Sequence, residues 1–283
     1  MRTFMGGMVA FSNRRQPPEK FIPEAARDVF LVAYPRSGTT WISFVAAELL
    51  FQRAPKNLTE IGLLVPDVHE LPEKSAVPLA SQYLIKSHCP LNAVHGFPPY
   101  GDYRRVIYLI RDPRDVMLSH YRYIRSLSTY SGGLEEFAMD WAAGRIWPSS
   151  WQEHVNSWLA PRLHPAPFEL TVVRYEDFVA DPIGQTEILA KALGIEVTRT
   201  RIEEIVANTS ADSMRRRETK DGIGNDPEFN FIGPAKAGNW KRIQTQDDGR
   251  DAISIVENFS RDAMRLGGYV TSNEASAQFT AAE

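Results

Sequence analysis

The sequence predicts a three-layer α/β protein, with a central, mainly parallel β-sheet between layers of helices. Two observations predict it. Short apolar runs rich in β-branched residues recur: VFLVAY (29–34), YLIK (83–86), RVIYLI (105–110) and LTVVRY (170–175). Each run is apolar almost throughout rather than alternating, as suits a strand buried on both faces. Helical patterns lie between the runs, and strands alternating with helices build parallel sheets.

The helices carry start and stop signals. TTWISFVAAELLFQR (39–53) repeats apolar residues at helical spacing and opens with threonines able to cap. PRDVMLSHYRYIRSL (113–127) has Pro113 in its first turn, with Asp112 before it as cap. SSWQEHVNSWLA (149–160) has Ser149 or Ser150 as cap. DPIGQTEILAKALG (181–194) has Asp181 as cap, Pro182 just inside and Gly194 just past the end. Glu176 and Asp177 are expected to cap the helix after the fourth strand. Residues 55–82 and 212–236 read as irregular, the form that lids and binding loops often take.

With 283 residues and 43% hydrophobic content, the chain can bury one sizeable core. Residues 23–270 are expected to form one domain, with 1–22 and 271–283 as flexible ends. The apolar patch near the start has little positive charge before it and no small-residue cleavage site, so it is not read as a signal peptide. No apolar run approaches the roughly 18 residues that suggest a spanning helix. A single cysteine, Cys89, excludes an internal disulfide and fits a reducing compartment, here the cytoplasm. A net charge of −3 calls for neither nucleic acid nor an acidic membrane as partner.

The segment AYPRSGTT (33–40) joins a strand to a helix. Strand ends of a parallel sheet point at the ligand crevice, and a helix start offers free N–H groups, so this joint suits an anion. Against the phosphate-loop pattern G-x-x-x-x-G-K-[ST], Gly38 and Thr40 match, Ala33 replaces the first glycine and Thr39 the lysine. Arg36 supplies a cation from inside the loop instead. RVIYLIRDPRDVMLSHYR repeats the plan: Arg111 sits at the strand tip, and Ser119 falls eight residues later, about two helical turns. An arginine fork with a hydroxyl suits a phosphate monoester. Two anion sites on neighbouring strands suggest a ligand with two separated anionic groups.

YPRSGTTW and YLIRDPRDVMLSHYRY resemble the 5′-phosphosulfate and 3′-phosphate motifs of the cytosolic-type sulfotransferases, which use 3′-phosphoadenosine 5′-phosphosulfate (PAPS). IKSHCP is similar to the family's Lys-Thr-His segment, and VVRYEDFVADP and NTSADSM follow in the family's order; the resemblance runs from about residue 28 to 268. It implies a P-loop NTPase-like fold, PAPS as donor and 3′-phosphoadenosine 5′-phosphate (PAP) as product, with no metal. Arg36, Ser37, Gly38, Thr39 and Thr40 would hold the 5′-phosphosulfate, with Arg36 where the family more often has lysine. Trp41 would stack near the adenine, and Tyr175 and Thr209 would contact its side. Arg111 and Ser119 would hold the 3′-phosphate. His88 would be the catalytic base, with Lys86 beside it.

The chain departs from the family in two places. The late motif Arg-Lys-Gly-x-x-Gly-x-Trp becomes GPAKAGNW, so Gly233 and Pro234 replace the Arg-Lys pair that grips the 3′-phosphate, and Ala235 a glycine. Gly238 and Trp240 keep register, and Lys236 or an arginine of 215–217 is the candidate substitute. The dimer motif Lys-x-x-x-Thr-Val-x-x-x-Glu becomes Lys241, Thr245, Gln246 and Arg250, which leaves monomer and homodimer both open.

Sulfuryl transfer requires a base for the acceptor, stabilisation of charge on the moving group, and in-line placement. A histidine titrates near working pH, so His88 suits the first. Arg36, Lys86 and the N–H groups of the turn suit the second. The expected acceptor is a hydroxyl or amine on a small aromatic or lipophilic molecule, with Phe97, Tyr100, Tyr123, Tyr130, Trp147 and Trp151 as candidate walls. His69 could lie near that acceptor; His120 and His154 read as packing residues. The rival readings are a P-loop kinase, which the missing loop lysine opposes, and a non-catalytic nucleotide-binding homologue.

Overall fold

A computed structural model describes residues 19–24, 26–91, 104–160, 168–221 and 236–270. Four strands form one sheet: β1 Val29–Ala33, β2 Leu84–Ser87, β3 Arg105–Ile110 and β4 Glu169–Arg174. Their order is β2-β1-β3-β4, and every pairing is parallel. All four expected runs become strands, with ends displaced by no more than one residue.

The sheet divides two cores, because successive side chains of a strand point to opposite faces. Phe30 and Val32 of β1 join Val106, Tyr108 and Ile110 on one face. There they meet α3 (Pro113–Ser126), α4 (Leu134–Ala142), α5 (Trp151–Leu159) and α11 (Asp247–Leu266). Val29, Leu31 and Ala33 join Ile107, Leu109 and Val173 on the other. They meet α1 (Thr39–Phe51), α2 (Leu58–Leu64), α6 (Tyr175–Ala180), α7 (Pro182–Ala192) and α8 (Arg199–Asn208). This is the expected three-layer architecture.

The helix signals hold with two corrections. Asp112 accepts from Arg114 N with Pro113 in the first turn, Ser150 and Glu153 form a reciprocal capping box, and Asp181 accepts from Gly184 N. Gly194 ends α7 with φ 69°. At α1 the threonines do not cap; Gly38 precedes the helix with φ 102° and no side-chain cap. Nor do Glu176 and Asp177 cap α6, which starts at Tyr175. Glu176 instead accepts the Asp112 N–H at 3.0 Å and the Tyr269 hydroxyl at 2.9 Å.

Both stretches read as irregular contain helix. Asn57 caps α2 through Glu60 N, and Ile61 and Leu64 anchor it in the core. A single 3₁₀ turn follows at Lys74–Ala76. Helix α9 occupies Ala211–Asp221 and is anchored by the buried Met214; α10 is Trp240–Ile243. The segment 1–22 is docked at its end: Phe21 is buried, donates its N–H to Pro72 O at 3.0 Å and meets the Tyr83 ring edge-on at 4.9 Å. Residues 1–18 and the tail 271–283 lie outside the described residues.

Candidate active site

The site forms where β1, β2 and β3 end. Parallel pairing sets Leu31 beside Lys86 and Ala33 beside Leu109, so Arg36, His88 and Arg111 all emerge just past the same edge. The turn after β1 is tight. Ser37 donates its N–H to Tyr34 O at 3.2 Å, and Arg36 adopts φ 69°. Gly38 is needed on two counts. Its φ of 102° lies where side chains rarely go, and a Cβ there would come within 2.6 Å of Cδ2 of Tyr175.

The two anion turns touch. Arg36 Nε donates to Ser119 Oγ at 3.3 Å, and Arg111 Nη1 donates to Arg36 O at 3.3 Å. The Arg36 guanidinium lies 4.8 Å from the centre of the Tyr123 ring, and that of Arg111 lies 4.1 Å from the centre of Tyr175. The Tyr175 ring thus lies between Gly38 and Arg111. Trp41 meets Tyr175 edge-on at 5.8 Å and Phe178 at 5.6 Å.

His88 has a defined tautomer. Its Nδ1 lies 2.7 Å from Ala33 O, and a carbonyl can only accept, so Nδ1 carries the proton and Nε2 a free lone pair. Burial, then the Lys86 charge, pulls the His88 pKa down to about 4. The ring is therefore neutral near pH 7. Lys86 pairs with Asp67 at 2.8 Å, and Asp67 Oδ1 accepts the His69 N–H at 3.0 Å. The backbone explains this placement: Lys86 N donates to Pro66 O at 2.8 Å and Val68 N to Lys86 O at 3.0 Å. Residues 66–69 thus run as a short strip beside β2, delivering Asp67 and His69 to the site. His69 Nε2 accepts the His88 N–H at 3.4 Å.

Asp67 was missed in the sequence, where nothing in VPDVHE marks a partner for a lysine 19 positions away. His154 and His120 pack as expected. His154 is buried, stacked 5.7 Å from Tyr108 and hydrogen-bonded to its hydroxyl at 2.9 Å. Buried His120 meets Tyr34 and Phe137 edge-on. Burial, with the charges of Arg36 and His88, lowers the His120 pKa to about 3.

The remaining candidates divide. Trp147 is 55% exposed, and its ring centre lies 5.1 Å from that of His69 and 6.0 Å from that of His88, nearly perpendicular to both. Trp151 is 1% exposed, a core residue that offers a ligand no surface, which corrects its place among the walls. Tyr130 packs on Phe137 and bonds Asp140. Thr209 is buried and donates its hydroxyl to Ile205 O at 2.8 Å. Thr39 and Thr40 form the first turn of α1. Lys236 accepts at its carbonyl from Arg111 Nη2 at 3.4 Å, and Gly238 donates its N–H to Asp115 at 2.6 Å. Arg215 pairs with Asp212, Arg216 bonds Ser213, and Arg217 lies over Phe44. In the altered dimer motif, Thr245 bonds Arg242 O and Arg250 pairs with Asp247. Phe97, Tyr100, Gly233, Pro234 and Ala235 lie outside the described residues.

The donor set fits a large anionic nucleotide. Ser37 Oγ, Trp41 Nε1 and Arg111 Nε are buried with no hydrogen-bond partner, and all three line the two anion turns. The model of the sulfotransferase domain family matches residues 26–264. The chain belongs to the sulfotransferase family. It is 31% identical to mouse (Mus musculus) sulfotransferase 4A1 over 246 residues, covering 84% of this chain and 79% of the relative. It is 27% identical over 280 residues to the 3-beta-hydroxysteroid sulfotransferase of Cavia porcellus, covering 93% and 92%. Mouse sulfotransferase SULT7A1, solved with PAP, superposes with a TM-score of 0.65 at 20% identity, covering 88% of this chain and 90% of its own. Retinol dehydratase, solved with retinol and PAP, gives 0.63 at 22%, covering 86% and 82%. The sulfotransferase is thus an enzyme of sulfuryl transfer, and the kinase alternative falls. No described helix is long and apolar enough to cross a membrane.

Proposed function

We propose that this sulfotransferase moves a sulfuryl group from PAPS to a hydroxyl or amine of a small aromatic or lipophilic acceptor, with His88 as base. The observation that carries the base is the 2.7 Å contact between His88 Nδ1 and Ala33 O, which leaves Nε2 bare. A neutral imidazole with a fixed tautomer is ready to take the acceptor proton at Nε2. When bound, PAPS supplies the sulfuryl group and a phosphate leaving group.

Arg36, Ser37, Gly38, Thr39 and Thr40 hold the 5′ end, where α1 begins without a side-chain cap and offers its N–H groups. Arg111 and Ser119 hold the 3′-phosphate, and Trp41 and Tyr175 face the base, with Thr209 behind them. Arg36 and Lys86 add positive charge where negative charge develops. Asp67 holds the Lys86 ammonium at 2.8 Å and so positions it beside His88. Trp147 and Tyr123 form walls on the acceptor side. The enzyme works in the cytoplasm as a monomer or homodimer and takes no nucleic acid.

A screen with radiolabelled PAPS over phenols, sterols and amines tests this. Label should appear in one acceptor class without added metal and vanish in His88→Ala. An inactive wild type that still binds PAP would point to the non-catalytic homologue.

A further inference from the structure

The Arg-Lys pair that grips the 3′-phosphate elsewhere in the family is Gly233 and Pro234 here, so something else must balance that charge. The segment after it folds over the start of α3. Arg111 Nη2 donates to Lys236 O at 3.4 Å, and the N–H groups of Gly238 and Trp240 donate to Asp115 at 2.6 and 3.0 Å. Arg114 stacks 3.6 Å from the centre of the Trp240 ring. Helix α10 is thereby packed on α3, and it carries Arg242.

Arg122 lies on α3 three residues after Ser119, and residues three apart share a helix face. It therefore stands beside the hydroxyl that faces Arg36 and the 3′-phosphate site. Among the described residues, the guanidinium groups of Arg122 and Arg242 make no hydrogen bond or ion pair, and both side chains reach solvent. Packing around Arg122, then the charges of Arg242 and Arg111, pull its pKa down. The carboxylate that opposes them, Asp115, already accepts two N–H groups. The Arg122 guanidinium thus bears the repulsion of two others, Arg242 and Arg111. A doubly charged phosphate relieves that repulsion.

We propose that Arg122 and Arg242 join Arg111 and Ser119 in holding the donor's 3′-phosphate, replacing the family's Arg-Lys pair. This rests on the PAPS reading above. Arg122 is on the helix of Ser119 and Arg242 on the segment that the lost pair would have preceded, so the grip has moved along the chain rather than vanished.

Calorimetry with PAP and with adenosine 5′-monophosphate, which lacks the 3′-phosphate, tests it. Wild type should prefer PAP. Arg122→Gln and Arg242→Gln should each weaken PAP about tenfold, the loss of one charged hydrogen bond, and leave the monophosphate unchanged. The variants should also bind PAP with a shallower salt dependence. If both keep wild-type affinity for PAP while Arg111→Gln loses it, the inference falls and the donor reading stands. It falls too if both nucleotides weaken equally. A wild type that does not distinguish PAP from the monophosphate overturns the donor reading itself.

Discussion

The β1–α1 and β3–α3 joints lie side by side on one sheet, and in sequence the second repeats the plan of the first. On the proposed reading they hold charge by opposite means. At the first, Gly38 precedes α1 without a side-chain cap, so the backbone N–H groups of the helix start are left open to a ligand. At the second, Asp112 accepts from Arg114 N and pairs with its guanidinium at 2.7 Å, so the helix start is already occupied. There, on the proposed reading, a ligand is met by side chains, Arg111 and Ser119. A backbone cradle tolerates almost no change of shape, whereas a side-chain grip can be rebuilt from other residues.

Variants can break or sharpen this contrast. The largest effect belongs to His88, which leans on the first joint through Ala33 O: His88→Ala should lower kcat about 10²- to 10⁴-fold in a sulfate-transfer assay. The acid limb of kcat/KM for the donor should lie near 4, not 6.5, because Nε2 must stay unprotonated and activity is lost as pH falls through that value. Stability follows the same sign. His88 contributes fully above about 6.5 and loses that contribution as pH falls toward 4, visible as a falling denaturation midpoint.

Next comes Gly38→Ala, which forces a Cβ into Tyr175 at an unfavourable φ. It should cost about 2–4 kcal/mol in chemical denaturation and weaken PAP as well. Arg111→Ala should weaken PAP by about 2–3 kcal/mol in calorimetry while leaving the fold intact. If Gly38→Ala proved neutral, the cradle would not depend on its backbone shape. The smallest effect is expected of Asp112→Asn, which can still cap. It should lose about 1 kcal/mol of stability and no PAP affinity, since Asp112 serves the helix rather than the ligand.

The legible parts were those written in contiguous residues. VFLVA and RVIYLI read as buried strands because both faces are covered, and Asp112–Pro113 and Asp181–Pro182 announce their helices locally. The threonines of α1 misled, because capping preference yields to a turn that must put Gly38 against Tyr175. Glu176 misled in the same way, drawn from its own helix to Asp112 N and Tyr269. Helix α2, at seven residues, is too short to reveal a period and the charged α9 carries too few apolar residues to do so; packing of Ile61, Leu64 and Met214 decides them. Asp67 was invisible, since its partner Lys86 is reached only through the sheet.

The strip at residues 66–69 joins β2 by a pair of main-chain bonds and carries Asp67 to Lys86 and His69 to His88. Main-chain bonding is indifferent to side-chain identity. A substitution at Asp67 or His69 can therefore strip a side chain from beside Lys86 and His88 and leave the strip itself seated on β2.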